Sequence, residues 1–368
     1  MRIQFWDYRT EYEAERDDIL AAVDQVMRSG RLILGDSVAA FEREFSAYCG
    51  AKYGVGVNSG TDALTLALRA LDVRPGDEVV TTANTAIPTV AAIVAAGGTP
   101  RFVDIEHDTY LMDVAQLEGA ITERTRAVIP VHLFGQCVDM DAVARIASSR
   151  GIAVLEDCAQ SVGAECRGRR AGSMSPIAAV SFYPTKILGA FGDAGMVVTS
   201  DDRLADRVRR LRVYGTDGAY HAEEQGYNSR LDELHAEMLR RRLRRIDTYI
   251  ARRRELARRY GERLRNSGLT LPATRRDNQH VYHLYVVRHP ARDAIVRELA
   301  ERGIGIGIHY PWPIHTMRAY AYLGYREGSL PATEKAAREI FSLPLYPSLT
   351  EADQNRVCDA LLDVLRAG

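Results

Sequence analysis

Along the first two-thirds of the chain, short apolar runs alternate with stretches whose apolar residues recur at three- and four-residue steps. Tyr53 to Val57, Glu78 to Thr81, Pro100 to Val103, Ala127 to Val131, Ala153 to Leu155, Ala178 to Phe182 and Gly195 to Thr199 have strand length and read as buried strands. Thr61 to Leu71, Thr89 to Ala96, Val114 to Ile121 and Met140 to Ser149 have helical length and spacing. Strands that alternate with helices predict an α/β fold, a mainly parallel seven-stranded sheet covered by helices on both faces.

The pattern then changes. Leu231 to about Leu264 reads as one long helix, with Leu239, Leu243, Ile246 and Ile250 on one face. A strand at Val281 to Val287, a helix at Arg292 to Arg302, a strand at Ile304 to Tyr310 and a closing helix at Glu351 to Arg366 follow. This predicts a large α/β domain over residues 1–245, N-terminal segment included, and a linking helix with a smaller C-terminal α+β domain over 246–368. The arginines at 240–242, 244, 245 and 252–254 read as a solvated helix face.

Composition narrows the function classes. With 46% hydrophobic and 26% charged residues and a net charge of -1, the chain has no global field for a nucleic acid or an anionic membrane, and it lacks a recognition motif. The five cysteines form no Cys-x-x-Cys pair, so no zinc ribbon is expected and a reducing, cytoplasmic setting fits. Met1 to Glu15 lacks an apolar signal core, and the longest apolar stretch, Val90 to Ala96, is too short to span a bilayer. His132 and His283 fall in strand patterns and read as core or edge histidines. No histidine pair has zinc-helix spacing, so no metal is expected.

Lys52, Lys186 and Lys335 are the only lysines among forty-eight basic residues, and arginine cannot supply a neutral amine. Lys186 follows a predicted buried strand and precedes Gly189, Gly192 and Gly195, where an amine can be desolvated and closely approached. By itself it is as easily a strand-end lysine reaching to water. Asp157 ends an apolar run, at the sheet edge where α/β proteins gather ligands, though alone it is equally a helix cap. Ser59, Gly60, Thr61 and Asp62 open a helix whose free N–H groups attract a phosphate, or simply cap it. Together, a lysine to condense with an aldehyde, a carboxylate to pair with a pyridinium nitrogen and a phosphate cradle are what pyridoxal phosphate requires.

At these residues the chain resembles the DegT/StrS-type nucleotide-sugar aminotransferases, of the fold type I pyridoxal phosphate enzymes. The likeness rests on Ser59-Gly-Thr-Asp-Ala-Leu64, Val131-His-Leu-Phe-Gly135, Glu156-Asp-Cys-Ala-Gln160, Ser181-Phe-Tyr-Pro-Thr-Lys186, Gly226-Tyr-Asn-Ser-Arg-Leu-Asp-Glu233 and Ile308-His-Tyr-Pro311, in the family's order. The resemblance implies that Lys186 anchors the cofactor, Asp157 pairs with its ring nitrogen, Gln160 sits by the ring hydroxyl, and Ser59, Gly60, Thr61, Asp62 and Ser181 belong to the phosphate side. It implies a homodimer with shared sites, Asn228 and Arg230 reaching the neighbour's phosphate region, and a sugar-nucleotide entrance lined by Tyr214, Arg230, His309, Tyr310 and His315. One departure is Ala86, where the family commonly has an aromatic residue stacked on the cofactor ring.

The activity so implied is ping-pong transamination, with glutamate converting the cofactor to pyridoxamine phosphate and a keto-sugar nucleotide accepting the amine. The retained lysine speaks against the family's dehydratase branch, and Ser181 to Lys186 with Tyr214 are most like the branches acting at carbon 3 of a dTDP-linked 6-deoxyhexose. Amination of a 4-keto sugar or a keto-cyclitol is the alternative within the family. A non-catalytic regulator that keeps the fold is the alternative outside it.

Overall fold

The structure is a computed structural model that describes residues 2–367. All seven apolar runs of the first two-thirds pair into one sheet. They are β1 (Tyr53–Val57), β2 (Glu78–Thr82), β3 (Thr99–Val103), β4 (Thr125–Val128), β5 (Ala153–Asp157), β6 (Ile177–Ser181) and β7 (Gly195–Thr199). Their order is β1-β7-β6-β5-β4-β2-β3, and only β7 runs against its neighbours.

Among the described residues, eleven main helices pack around this sheet and a second core. Two precede it, α1 (Tyr8–Ser29) and α2 (Asp36–Cys49), in a stretch where charged residues mask the apolar spacing and from which no helix was expected. Asp7 caps α1 by accepting from Thr10 N at 3.2 Å, and Gly30 closes it in the left-handed region. Buried Glu233 caps α2 from afar, accepting from the backbone N–H groups of Gly35, Ser37 and Val38. Within the sheet domain follow α3 (Gly60–Ala70), α4 (Ile87–Ala95), α5 (Met140–Ser149) and α6 (Asp202–Leu211). The span Val114 to Ile121 is only a 3₁₀ turn and one short helical turn.

The long helix expected from Leu231 is two helices, α7 (Glu233–Leu243) and α8 (Ile246–Arg263), broken at Arg244 and Arg245. No Gly or Pro marks the break; α8 turns there towards a second core. That core joins Leu256, Tyr260 and Leu264 of α8 with Ile295, Leu299, Phe341, Leu343, Val357 and Leu361, and also takes in Ile3. Its two-stranded sheet pairs β8 (Tyr285–Arg288) with β9 (Ile340–Leu343), between α9 (Arg292–Glu301), α10 (Pro331–Glu339) and α11 (Glu351–Ala367). Ile304 to Tyr310 is not a strand: Gly305 and Gly307 interrupt it and it makes only isolated bridges, Ile304 to Ile3 and Gly307 to Ser342.

The arginine row is a solvated face only at Arg244 and Arg245, which are exposed. Arg240 grips Glu44 and Glu237, Arg241 grips Glu237, and Arg242 and Arg253 are buried at 8% and 4% exposure. Among the described residues no helix is long and apolar enough to cross a membrane.

Candidate active site

The loop that carries Lys186 leaves the end of β6 through Phe182. This ring has no exposed surface and packs edge-on against Phe41 and Phe45 of α2, at centroid distances of 5.2 and 4.9 Å. Each buried phenyl contributes roughly 1.5–3 kcal/mol, which fixes the strand end from which the loop turns. The turn closes through Lys186 N to Tyr183 O at 2.8 Å and Ala190 N to Phe182 O at 2.7 Å. Part of the Lys186 side chain reaches a cavity while its amine lies deep in protein; burial draws the amine down to about 8, against the opposing pull of Asp157.

Asp157 stands at the carboxyl end of β5, on the same cavity. Its two oxygens are separately held: Oδ1 accepts from Ala159 N at 3.1 Å and Oδ2 from the Thr89 hydroxyl at 2.8 Å. The Thr89 hydroxyl also shares a 2.9 Å hydrogen bond with that of Thr85. Burial pushes the carboxyl up, and the Ala159 N–H, the Thr89 hydroxyl and Lys186 pull it back.

The phosphate side is a corner between β1, β6, β7 and the start of α3. Ser59 caps α3 by accepting from Asp62 N at 3.1 Å, so the free N–H groups of the first turn face the cavity. Glycine is required twice here. A Cβ on Gly60 would meet Ser181 Cβ at 2.6 Å, and one on Gly195 would meet the carbonyl of Ser59 at 2.3 Å.

Gln160 is aimed by the Val131 to Gly135 loop. Its Oε1 accepts from Phe134 N at 2.8 Å and its Nε2 donates to the Tyr310 hydroxyl at 3.0 Å. Burial pushes Tyr310 up to about 12 and draws His309 down to about 4, so the phenol keeps its proton and the imidazole is neutral at pH 7. His309 Nδ1 lies 2.9 Å from Ser342 Oγ, and its ring stacks on Phe5 at 5.3 Å.

Ser59, Gly60, Thr61, Asp157, Gln160, Ser181 and Lys186 therefore line one cavity of about 370 Å³, together with Thr89, Ala86 and Tyr183. That volume lies in the range of small-molecule sites, roughly 300–1,000 Å³. A carboxylate, an amine and a helix N-terminus on one cavity fit pyridoxal phosphate. Where the family commonly stacks an aromatic ring, Ala86 and Pro88 contribute aliphatic surface.

The remaining expected residues lie elsewhere. Asp62 is turned aside, its Oδ2 accepting from Ser229 Oγ at 2.7 Å. Asn228 is exposed and pairs through its backbone with Val213. Tyr214 follows α6, is half exposed, and lies under the Arg230 guanidinium at 5.9 Å. His315 is buried away from the cavity, 3.0 Å from Glu334 Oε1.

Three contributors were not foreseen. Thr85 and Thr89 act through a strand that is distant in sequence, and His283, read from its strand pattern as a core or edge histidine, is buried with Nδ1 unpartnered and within the electrostatic reach of Lys186. His132, Glu156 and Cys158 also converge, but Glu156 already accepts from Gly172 N, Met174 N, Ser175 N and the Ser175 hydroxyl. Its lone pairs are committed to structure rather than to a metal ion.

Comparison with known proteins points the same way. Residues 13–362 match the DegT/DnrJ/EryC1/StrS aminotransferase family. The chain is 52% identical over 371 aligned positions to a dTDP-3-amino-3,4,6-trideoxy-alpha-D-glucose transaminase of Micromonospora megalomicea subsp. nigra, covering 99% of each. It superposes on S. venezuelae DesV, crystallised in complex with a ketimine intermediate, with a TM-score of 0.97 and 46% identity over 99% of this chain and 98% of that one. A PLP-form of the putative sugar aminotransferase Spr1654 from Streptococcus pneumoniae gives 0.89 at 27% identity, over 95% and 96%.

Proposed function

Given that the chain belongs to the DegT/DnrJ/EryC1/StrS aminotransferase family, we propose that it moves the amino group of glutamate to carbon 3 of a dTDP-linked 3-keto-6-deoxyhexose, in deoxyaminosugar biosynthesis. The chain is a pyridoxal phosphate-dependent aminotransferase; the proposal concerns its donor, acceptor and assembly. The observation that carries it is the meeting of Lys186 and Asp157 on one cavity beside the α3 N-terminus. The acceptor is read from relatives that share the whole chain length, among them the Micromonospora 3-amino-sugar transaminase.

When bound, pyridoxal phosphate supplies an aldehyde that captures an amine and a protonated ring that withdraws electrons from the donor's α-carbon. Asp157, held by Thr89 and Ala159, keeps the proton on the ring nitrogen. The N-terminus of α3 with Ser59, Thr61 and Ser181 takes the phosphate. Gln160, with Tyr310 behind it, faces the ring hydroxyl. Lys186 Nζ would anchor the aldehyde and, once freed, could take the proton from the donor's α-carbon and deliver it to the former aldehyde carbon, a 1,3-shift suited to an amine near neutrality.

His309, Tyr310, Tyr214 and Arg230 guide the sugar nucleotide. Exposed Asn228 and neighbouring Arg230 serve the phosphate region of a second copy, which makes the homodimer the working unit. A cytoplasmic location suits the five unpaired cysteines.

The test is direct. The purified protein should be yellow, its visible band should bleach with glutamate and return with a dTDP-3-keto-6-deoxyhexose but not with the 4-keto isomer, and Lys186→Ala should lack the band. A visible band that survives in Lys186→Ala would move the anchor to another lysine and sink the assignment.

A further inference from the structure

A second cavity, of about 290 Å³, lies behind Lys186, between α1, α8 and the Pro347–Ser348 turn. Lys186 is the residue it shares with the cofactor cavity. Three arginines line it, and two have counter-charges. Arg242 pairs with Glu15 at 3.2 Å and Glu11 at 3.5 Å, and Arg245 pairs with Asp18. Glu15 is further held by the Tyr249 hydroxyl.

Arg253 is different. It is 4% exposed, and its hydrogen bonds all leave from Nη1, to the carbonyls of Tyr282, His283 and Leu345 at 3.3, 3.3 and 2.9 Å. Its Nε has no partner, and neither does the buried hydroxyl of Ser348 on the same cavity. Arg253 makes no direct ion pair among the described residues, although Glu11 acts on it electrostatically; burying such a guanidinium is costly, and buried polar groups in native proteins are nearly always satisfied. Arg253 and Ser348 both line this cavity while holding hydrogen-bonding capacity that no protein group uses, which makes it a place for an anion with two hydrogen-bond acceptors.

Resting on the transaminase reading, we propose that this cavity seats the side-chain carboxylate of the amino donor, with Arg253 and Ser348 as its partners. The donor's amine must be exchanged at Lys186, so a carboxylate a few bonds from that amine extends into the adjoining cavity. Trp6 and Ile187 supply apolar wall for the intervening methylenes. Glu11 and Glu15 form their ion pairs with Arg242 and none with Arg253. A donor with a short neutral side chain leaves both groups unsatisfied, so the cavity selects dicarboxylic amino acids.

The experiment follows bleaching of the holoenzyme's visible band by glutamate and by alanine, in the unaltered protein and in Ser348→Asp and Arg253→Lys. The unaltered holoenzyme should prefer glutamate, with glutarate competing against it. Ser348→Asp, which puts a negative charge at the seat while the band shows that the coenzyme is still loaded, should lower the glutamate-to-alanine preference at least tenfold; Arg253→Lys should do the same. An unchanged preference in Ser348→Asp overturns the assignment even if Arg253→Lys fails to fold. A raised half-saturation for the sugar nucleotide with the glutamate preference intact also overturns it, and would give the cavity to a diphosphate. If no amino acid bleaches the unaltered protein, the transaminase reading itself fails, which is a separate outcome.

Discussion

The acidity of Lys186 is set by its burial more than by its one carboxylate neighbour. In the coenzyme-free protein the amine must be neutral to attack the aldehyde, so the rate of holoenzyme formation should rise about tenfold per pH unit below about 8 and level off above it, a profile that stopped-flow absorbance can follow. The folded amine releases its proton at lower pH than an unfolded lysine, whose usual value is 10.5. The unfolded chain then binds more protons between those values, and this residue contributes stability that increases with pH across that window. Lys186 and Asp157 were legible in the sequence because their residue types are scarce or costly where the pattern places them, at the ends of buried strands. Thr89, His283 and Arg253 were not, because each is defined by a partner or a cavity formed by remote parts of the chain.

At the level of elements, the corner joining β1, β7 and α3 is the proposed seat of the phosphate. Gly195→Ala would drive a Cβ to 2.3 Å from the Ser59 carbonyl and 2.7 Å from Gly60 N, and backbone cannot swing aside as a flexible side chain can. The variant should lose about 1–3 kcal/mol of stability, and the rise in melting temperature on adding pyridoxal phosphate should shrink; thermal melts with and without the coenzyme measure both. The sheet strands were readable because a buried parallel strand is apolar throughout. The break between α7 and α8 was not, since no helix-breaking residue stands there and the turn follows from α8 packing on the second core. Ile304 to Tyr310 misled for the converse reason: its alternation is strand-like, but its glycines leave it with single bridges instead of a ladder.

At the scale of the whole molecule, the exposed position of Asn228 makes the shared site testable by mixing. A Lys186→Ala protein and an Asn228→Ala protein, each impaired, should regain activity when co-refolded, because one of the two sites in a hybrid dimer then has both residues intact. No recovery, with dimers confirmed by light scattering, would confine each site to a single chain. The pattern changes after residue 240 and most of the smaller core is drawn from beyond that point, while Ile246, Ile250 and Val281 still pack in the sheet core. That Ile3 belongs to the smaller core was not legible in the sequence, because the short run Ile3, Phe5, Trp6 ahead of α1 is too brief to set a period.

The pairing of β1 with β7 has a last consequence. Val57, just ahead of the phosphate corner, faces Gly195 in register, and Ser181, where the lysine loop begins, faces the same glycine from the other side. Both holds on the coenzyme thus spring from one hydrogen-bonded seam and cannot drift apart. Ser348 lies in the turn after β9, outside that seam, so the proposed donor seat and the proposed holds on the coenzyme rest on separate parts of the fold. Such a division of labour is what a catalyst needs when it must release a product between two half-reactions yet never surrender its prosthetic group.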